Sequence, residues 1–130
     1  MSEVAVPSLP TILLVEDDPD TRRYMVTWLE MEGYRVHAAS NGREALEILR
    51  QEVPSVMVVD LMMPVMDGAE LRRRQQQMPA VSCVPFILVS GTYDAARIAR
   101  DLDIEEVVPK PFEPDELLGI VASHCHRREM

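Results

Sequence analysis

Four features of this chain carry groups capable of chemistry: the acidic run Glu16-Asp17-Asp18, the carboxylate of Asp60, the hydroxyl of Ser90 and the amine of Lys110. Each lies at or just past the end of a short apolar run: Ile12-Leu13-Leu14-Val15, Val56-Met57-Val58-Val59, Phe86-Ile87-Leu88-Val89 and Val107-Val108. Such runs, bounded by turn residues, are predicted to be strands buried on both faces. In a parallel sheet the C-terminal ends of all strands share one edge, so residues far apart in sequence meet there. Carboxylates gathered in this way repel one another and need a cation. Hard oxygen donors suit Mg²⁺, and no Cys/His set competes for a softer metal. A divalent ion beside a carboxylate, a hydroxyl and an ammonium group suits phosphoryl transfer. The positive charges neutralise phosphoryl oxygens, while the carboxylate can attack phosphorus to give an acyl phosphate.

Taken singly, each feature has a plainer reading. Glu16, Asp17 and Asp18 make a solvated loop ahead of a helix, Ser90 is a capping residue, and Lys110 is a surface cation. Asp18 keeps the capping role in either case. The placement of the four features at neighbouring strand ends is what favours a shared site.

The elements that must hold these groups alternate along the whole chain. After the first strand, Pro19 and Asp20 suit a helix start. Tyr24, Met25, Trp28, Leu29 and Met31 continue that helix to a stop at Gly33. Arg35-Val36-His37-Ala38-Ala39 is a weaker strand, and Ser40 or Asn41 caps a helix with Ala45, Leu46, Ile48 and Leu49 on one side. Pro54 precedes the third strand, and a third helix runs from Gly68 to about Met78. A short, weakly apolar helix spans 94–101, and a last one starts near Pro114 and carries Leu117, Leu118, Ile120 and Val121. Five such βα units predict a doubly wound α/β fold, a five-stranded parallel sheet with helices on both faces.

At 130 residues and 47% apolar content, the chain is sized for one folded domain. The domain is expected over residues 11–126, between a flexible leader at 1–10 and a polar tail at 127–130. No linker or repeat points to a second domain, so it is expected to stand alone. The net charge of −9 disfavours direct nucleic-acid binding, which needs clustered cations. No apolar stretch is long enough to span a bilayer, and no signal peptide is evident. The two cysteines, Cys83 and Cys125, are widely spaced and fit reduced thiols in the cytoplasm.

Together, Ile12-Leu13-Leu14-Val15-Glu16-Asp17-Asp18, Asp60 with Met63-Pro64 and Asp67-Gly68, Val89-Ser90-Gly91, and Lys110-Pro111-Phe112 resemble the receiver domain of two-component response regulators. The resemblance covers Thr11 to His124. It implies a flavodoxin-like (βα)5 fold with strand order 2-1-3-4-5. It implies Asp60 as phosphoacceptor, taking a phosphoryl group from a phosphohistidine on a sensor histidine kinase or phosphotransfer protein. Glu16 and Asp17 match the acidic pair that holds Mg²⁺ with Asp60, and Met62 matches the position whose backbone carbonyl is a metal ligand. Ser90 matches the hydroxyl that binds the phosphoryl group, and Lys110 the lysine that pairs with a phosphoryl oxygen. A cis peptide between Lys110 and Pro111 is also implied.

The output implied is phosphorylation-dependent binding of a downstream protein, with self-catalysed phosphoryl acceptance and slow loss rather than enzymatic turnover. Two features depart from the pattern. The segment from Tyr93 to Glu105 is short and poor in apolar residues, so a small or mobile fourth helix is expected there. One position also carries a different residue. Receiver domains usually carry Tyr or Phe three residues before the lysine, and this chain has Val107 there. Any switch must then work by backbone or helix movement. Two other functions compete: a receiver-shaped interaction module that does not use phosphate, and a Mg²⁺-dependent phosphatase with an aspartyl nucleophile. Against the phosphatase, the Asp-x-Asp-x-Thr of haloacid dehalogenases and any cap domain are missing.

Other residues read as structural. Asp67-Gly68 is turn chemistry, and Met62, Met63 and Met66 are packing and turn residues. His124-Cys125-His126 imitates a metal tract on a last helical turn. His37 is a strand residue, and Arg72-Arg73-Arg74 is a solvated helix face.

Overall fold

A computed structural model describes residues 9–129, so the expected leader lies almost wholly outside the described residues. Five strands alternate with five helices. They are β1 Thr11–Val15, α1 Pro19–Met31, β2 Arg35–Ala39, α2 Gly42–Gln51, β3 Val56–Asp60 and α3 Gly68–Gln76. They continue with β4 Phe86–Ser90, α4 Ala95–Asp101, β5 Glu106–Pro109 and α5 Pro114–Glu129. All pairings are parallel, in the order β2-β1-β3-β4-β5. The doubly wound fold and its expected strand order are both present.

Strand alternation divides the core in two. Leu13, Val15, Met57, Val59, Phe86 and Leu88 face α2, α3 and α4, where Ala45, Leu46, Leu49, Leu71 and Ala95 close the layer. Ile12, Leu14, Val56, Val58, Ile87 and Val89 face α1 and α5 and pack on Met25, Leu29, Leu117 and Val121. Because β3 and β4 are buried along their whole length, they read as unbroken apolar runs rather than as alternating ones.

Caps fix where the helices begin. The Asp18 carboxylate accepts the Thr21 N–H at 2.8 Å and opens α1, with Pro19 in the first turn. Asn41, not Ser40, caps α2: its Oδ1 accepts the Glu44 N–H at 2.9 Å, and Glu44 accepts the Ser40 N–H in return. Asp67 caps α3 through the Glu70 N–H, so it does more than turn the chain. At the other end α5 continues to Glu129, into the stretch expected to be a tail. His124 is therefore not on the last turn. It is buried against β5, with Nε2 3.8 Å from Glu106 Oε1.

Arg72 corrects the reading of the arginine run. It is 3% exposed, while Arg73 and Arg74 are open to solvent. Its guanidinium lies over the Phe86 ring, donates to the carbonyls of Leu102 and Asp103, and bonds Gln75 Oε1 at 2.8 Å. Gln75, fully buried, donates in turn to the carbonyls of Val81 and Val84. Glu105, 3.5 Å from Arg72, accepts the Phe86 N–H. One polar cluster thus pins α3, the start of β4 and the α4–β5 turn. It satisfies loop carbonyls that burial would otherwise leave without partners.

Candidate functional site

The C-terminal edge of the sheet gathers the predicted groups. Asp60 is the last residue of β3 and Ser90 the last of β4, both buried; Glu16, just past β1, is buried as well. Asp17 follows it, and one carboxylate oxygen each from Glu16, Asp17 and Asp60 lies within 4.8 Å of the others. Lys110, just past β5, places Nζ 3.2 Å from Asp60 Oδ1 and 3.7 Å from Glu16 Oε1. It is the only lysine among thirteen Lys and Arg residues in the chain. The Lys110–Pro111 peptide is cis.

Backbone bonds brace this edge. The Leu61 N–H donates to Val89 O at 3.0 Å, and the Lys110 N–H donates to Ser90 O at 2.9 Å. Gly68 lies so close beneath Asp60 that a Cβ there would stand 2.8 Å from the Asp60 carbonyl oxygen. Arg22, not singled out from the sequence, reaches back from α1 and donates to the Glu16 carbonyl at 2.8 Å. Its position one turn into α1 points it at the preceding loop, which is the feature that reveals it. The Ser90 hydroxyl is engaged by Thr92, whose Oγ1 is 2.8 Å away and whose N–H donates at 3.0 Å. Met62 is exposed to solvent.

Electrostatics mark the edge as short of positive charge. Burial pushes the Glu16 carboxyl above its ordinary value, and the Asp60 charge adds to this against the Asp18 N–H and Lys110. Burial likewise raises Asp60, with Lys110 opposing and Asp17 reinforcing. For Lys110 burial works downward, but Asp60 and Glu16 outweigh it and hold the ammonium above its usual value. The donor set fits Mg²⁺: three hard oxygen ligands on a rigid edge, with one ammonium as the nearby counter-charge. Among the described residues this is the one cluster with three potential metal ligands.

A parallel sheet with an acidic, lysine-bearing C-terminal edge defines a doubly wound domain of the flavodoxin-like class. The family model described as response regulator receiver domain matches residues 12–122. An uncharacterised 14.6 kDa protein of Leptolyngbya boryana is 37% identical over 116 residues, covering 88% of each chain. A probable transcriptional regulator, ycf27, of Porphyra purpurea is 38% identical over 120 residues; the match spans 91% of this chain but 48% of that relative's length. A putative response regulator from Chloroflexus aurantiacus superposes with a TM-score of 0.86 at 28% identity, over 92% of this chain and 99% of that one. The receiver domain of the Francisella response regulator 1452 gives 0.84 at 26%, over 92% and 98%.

The chain belongs to the response regulator receiver domain family. Phosphorylation-based signalling is the general business of these domains, and Mg²⁺ at an acidic pocket and phosphoaspartate are typical of them. No described helix is long and apolar enough to cross a membrane.

Proposed function

We propose that Asp60 accepts a phosphoryl group from a phosphohistidine on a sensor histidine kinase or phosphotransfer protein. The single observation carrying this reading is the convergence of Lys110 Nζ, 3.2 Å from Asp60 Oδ1, with the Glu16–Asp17–Asp60 carboxylates. Glu16, Asp17, Asp60 and the Met62 carbonyl would hold Mg²⁺. When bound, the ion supplies charge neutralisation at the phosphoryl oxygens and the carboxylates. Asp60 supplies the nucleophilic oxygen. Lys110 holds its ammonium beside that oxygen and offsets negative charge as the acyl phosphate forms. Ser90, freed from Thr92, donates its hydroxyl to a phosphoryl oxygen. Burial of Asp60 keeps bulk water off the site.

The signal leaves as altered protein binding in the cytoplasm, without enzymatic turnover of a substrate. Val107 supports an output by backbone or helix movement, since it packs partly buried against the core where an aromatic switch would stand. The test is incubation with Mg²⁺ and acetyl phosphate, followed by intact-mass measurement. One acid-labile phosphoryl group, absent from Asp60→Asn and from Mg²⁺-free samples, is expected. A chain that gains none, or that gains one irrespective of Asp60, overturns the reading.

A further inference from the structure

The face between α2 and α3 carries a feature that phosphoryl chemistry does not use. An open groove of about 420 Å³ runs there, lined by Leu46, Val65 and Met66, by Arg43, Arg50 and Arg74, and by one acid, Glu47. A second hollow of about 230 Å³ shares Leu46, Arg50 and Arg74 and extends the apolar lining to Met78. Val65 stands 74% exposed at the rim with φ of 71°, a left-handed conformation that a β-branched residue adopts only under strain.

Three arginines against the single acid Glu47 give the groove a local excess of positive charge on a chain of net charge −9. Arg50 pairs with Glu47 and Arg74 with Glu70, but these are exposed i,i+3 and i,i+4 contacts, worth about 0–1 kcal/mol each and easily exchanged. We propose that this groove docks a short acidic peptide segment of a partner protein, with one apolar side chain seated on Leu46 and Met66 and carboxylates on the arginines. The net negative charge repels any anion at a distance, yet that repulsion is screened within about 8 Å at physiological ionic strength. A segment with two or three carboxylates tolerates it. Duplex DNA, with a charge every ~1.7 Å, does not.

The groove adjoins the loop that follows Asp60. Met66 O accepts the Gly42 N–H at 3.2 Å, and a Cβ on Gly42 would stand 2.8 Å from Met66 Cγ. The docking surface is therefore built from α2, α3 and that loop together.

The test is selection from a displayed library of random peptides on the full chain, then fluorescence anisotropy with a recovered peptide. Recovered sequences should place Asp or Glu around one large apolar residue. The double variant Arg50→Glu/Arg74→Glu should weaken binding about tenfold or more. Val65→Asp should weaken it as well while folding at least as well as the native chain, because Asp accepts the left-handed conformation more readily than Val. Basic or neutral peptides, no recovered peptide, or binding indifferent to these variants overturns the proposal. So does tighter, arginine-dependent binding of phosphatidylserine vesicles or duplex DNA, or arginine-dependent self-association.

Discussion

The hydroxyl of Ser90 is held by Thr92: Oγ1 of Thr92 lies 2.8 Å from Ser90 Oγ, and the Thr92 N–H donates to the same atom at 3.0 Å. On the proposed chemistry a phosphoryl group on Asp60 draws on the Ser90 O–H, and Thr92 Oγ1, which can accept that same proton, competes with it. Thr92→Val keeps the shape and the N–H but removes one neutral hydrogen bond, worth about 0.5–1.5 kcal/mol. Phosphoryl uptake from acetyl phosphate should quicken by roughly 2- to 10-fold. The labelling time course measures this, and a slower variant would contradict it.

Removing the Asp60 charge should stabilise the metal-free fold at neutral pH. A carboxyl whose pKa is raised by folding weakens the fold as it ionises. Its cost is absent below the ordinary carboxylate value, 3.8 for Asp, and grows as pH climbs through the raised one. Asp60→Asn should therefore melt higher than the native chain at pH 7, with the gap closing towards pH 4. Lys110 does not alter this sign. Its raised pKa leaves its contribution fully present below 10.5, throughout that range. Mg²⁺ should narrow the gap at pH 7 by stabilising the native chain alone. Thermal melts across pH, with and without Mg²⁺, decide it.

Gly68→Ala should damage both fold and site. The new methyl would lie 2.8 Å from the Asp60 carbonyl oxygen and 3.1 Å from Leu61 Cα, backbone atoms with little room to yield. Overpacking of this kind costs about 1–3 kcal/mol. Urea denaturation should show that loss, and labelling of Asp60 should slow with it.

Arg72→Ala should lower stability by about 1–3 kcal/mol, the usual cost of leaving buried acceptors without their donor. Glu105 and the Leu102 and Asp103 carbonyls would be left without the guanidinium. Arg73→Ala, one residue along and open to solvent, should change it by no more than about 0.5 kcal/mol. Equal effects in urea would refute the buried role of Arg72.

The sheet was legible in the sequence because its central strands are buried on both faces and so appear as unbroken apolar runs, each ending in a polar group. Asp60 and Ser90 stood out for that reason, and Lys110 because Val107-Val108 precedes it. Arg72 was not legible. Helical periodicity marks an arginine beside Leu71 as solvent-facing, and only the return of the α4–β5 turn, some thirty residues on, supplies the carbonyls that bury it. The same holds for Thr92 and Ser90. Their spacing allows the contact, but the turn after β4 decides that it forms. His124 was misplaced because residues beyond it looked too polar to prolong a helix, whereas α5 runs on to Glu129.

On the proposed chemistry, Met62 affects how long a phosphoryl group on Asp60 would last. Met62 is 65% exposed and lies two residues past Asp60. Hydrolysis of an acyl phosphate needs a water held in line behind phosphorus, and a thioether makes at best a weak hydrogen bond to one. The native chain should therefore lose its phosphoryl group slowly. Met62→Asn places an amide at the same position, able to orient that water with one neutral hydrogen bond. The first-order loss rate, followed by intact mass after removal of the phosphodonor, should rise about 2- to 10-fold. The substitution lies at an exposed position, so the melting temperature should not move. A faster loss accompanied by a lower melting temperature would point instead to a loosened loop, which solvent enters without any help from residue 62.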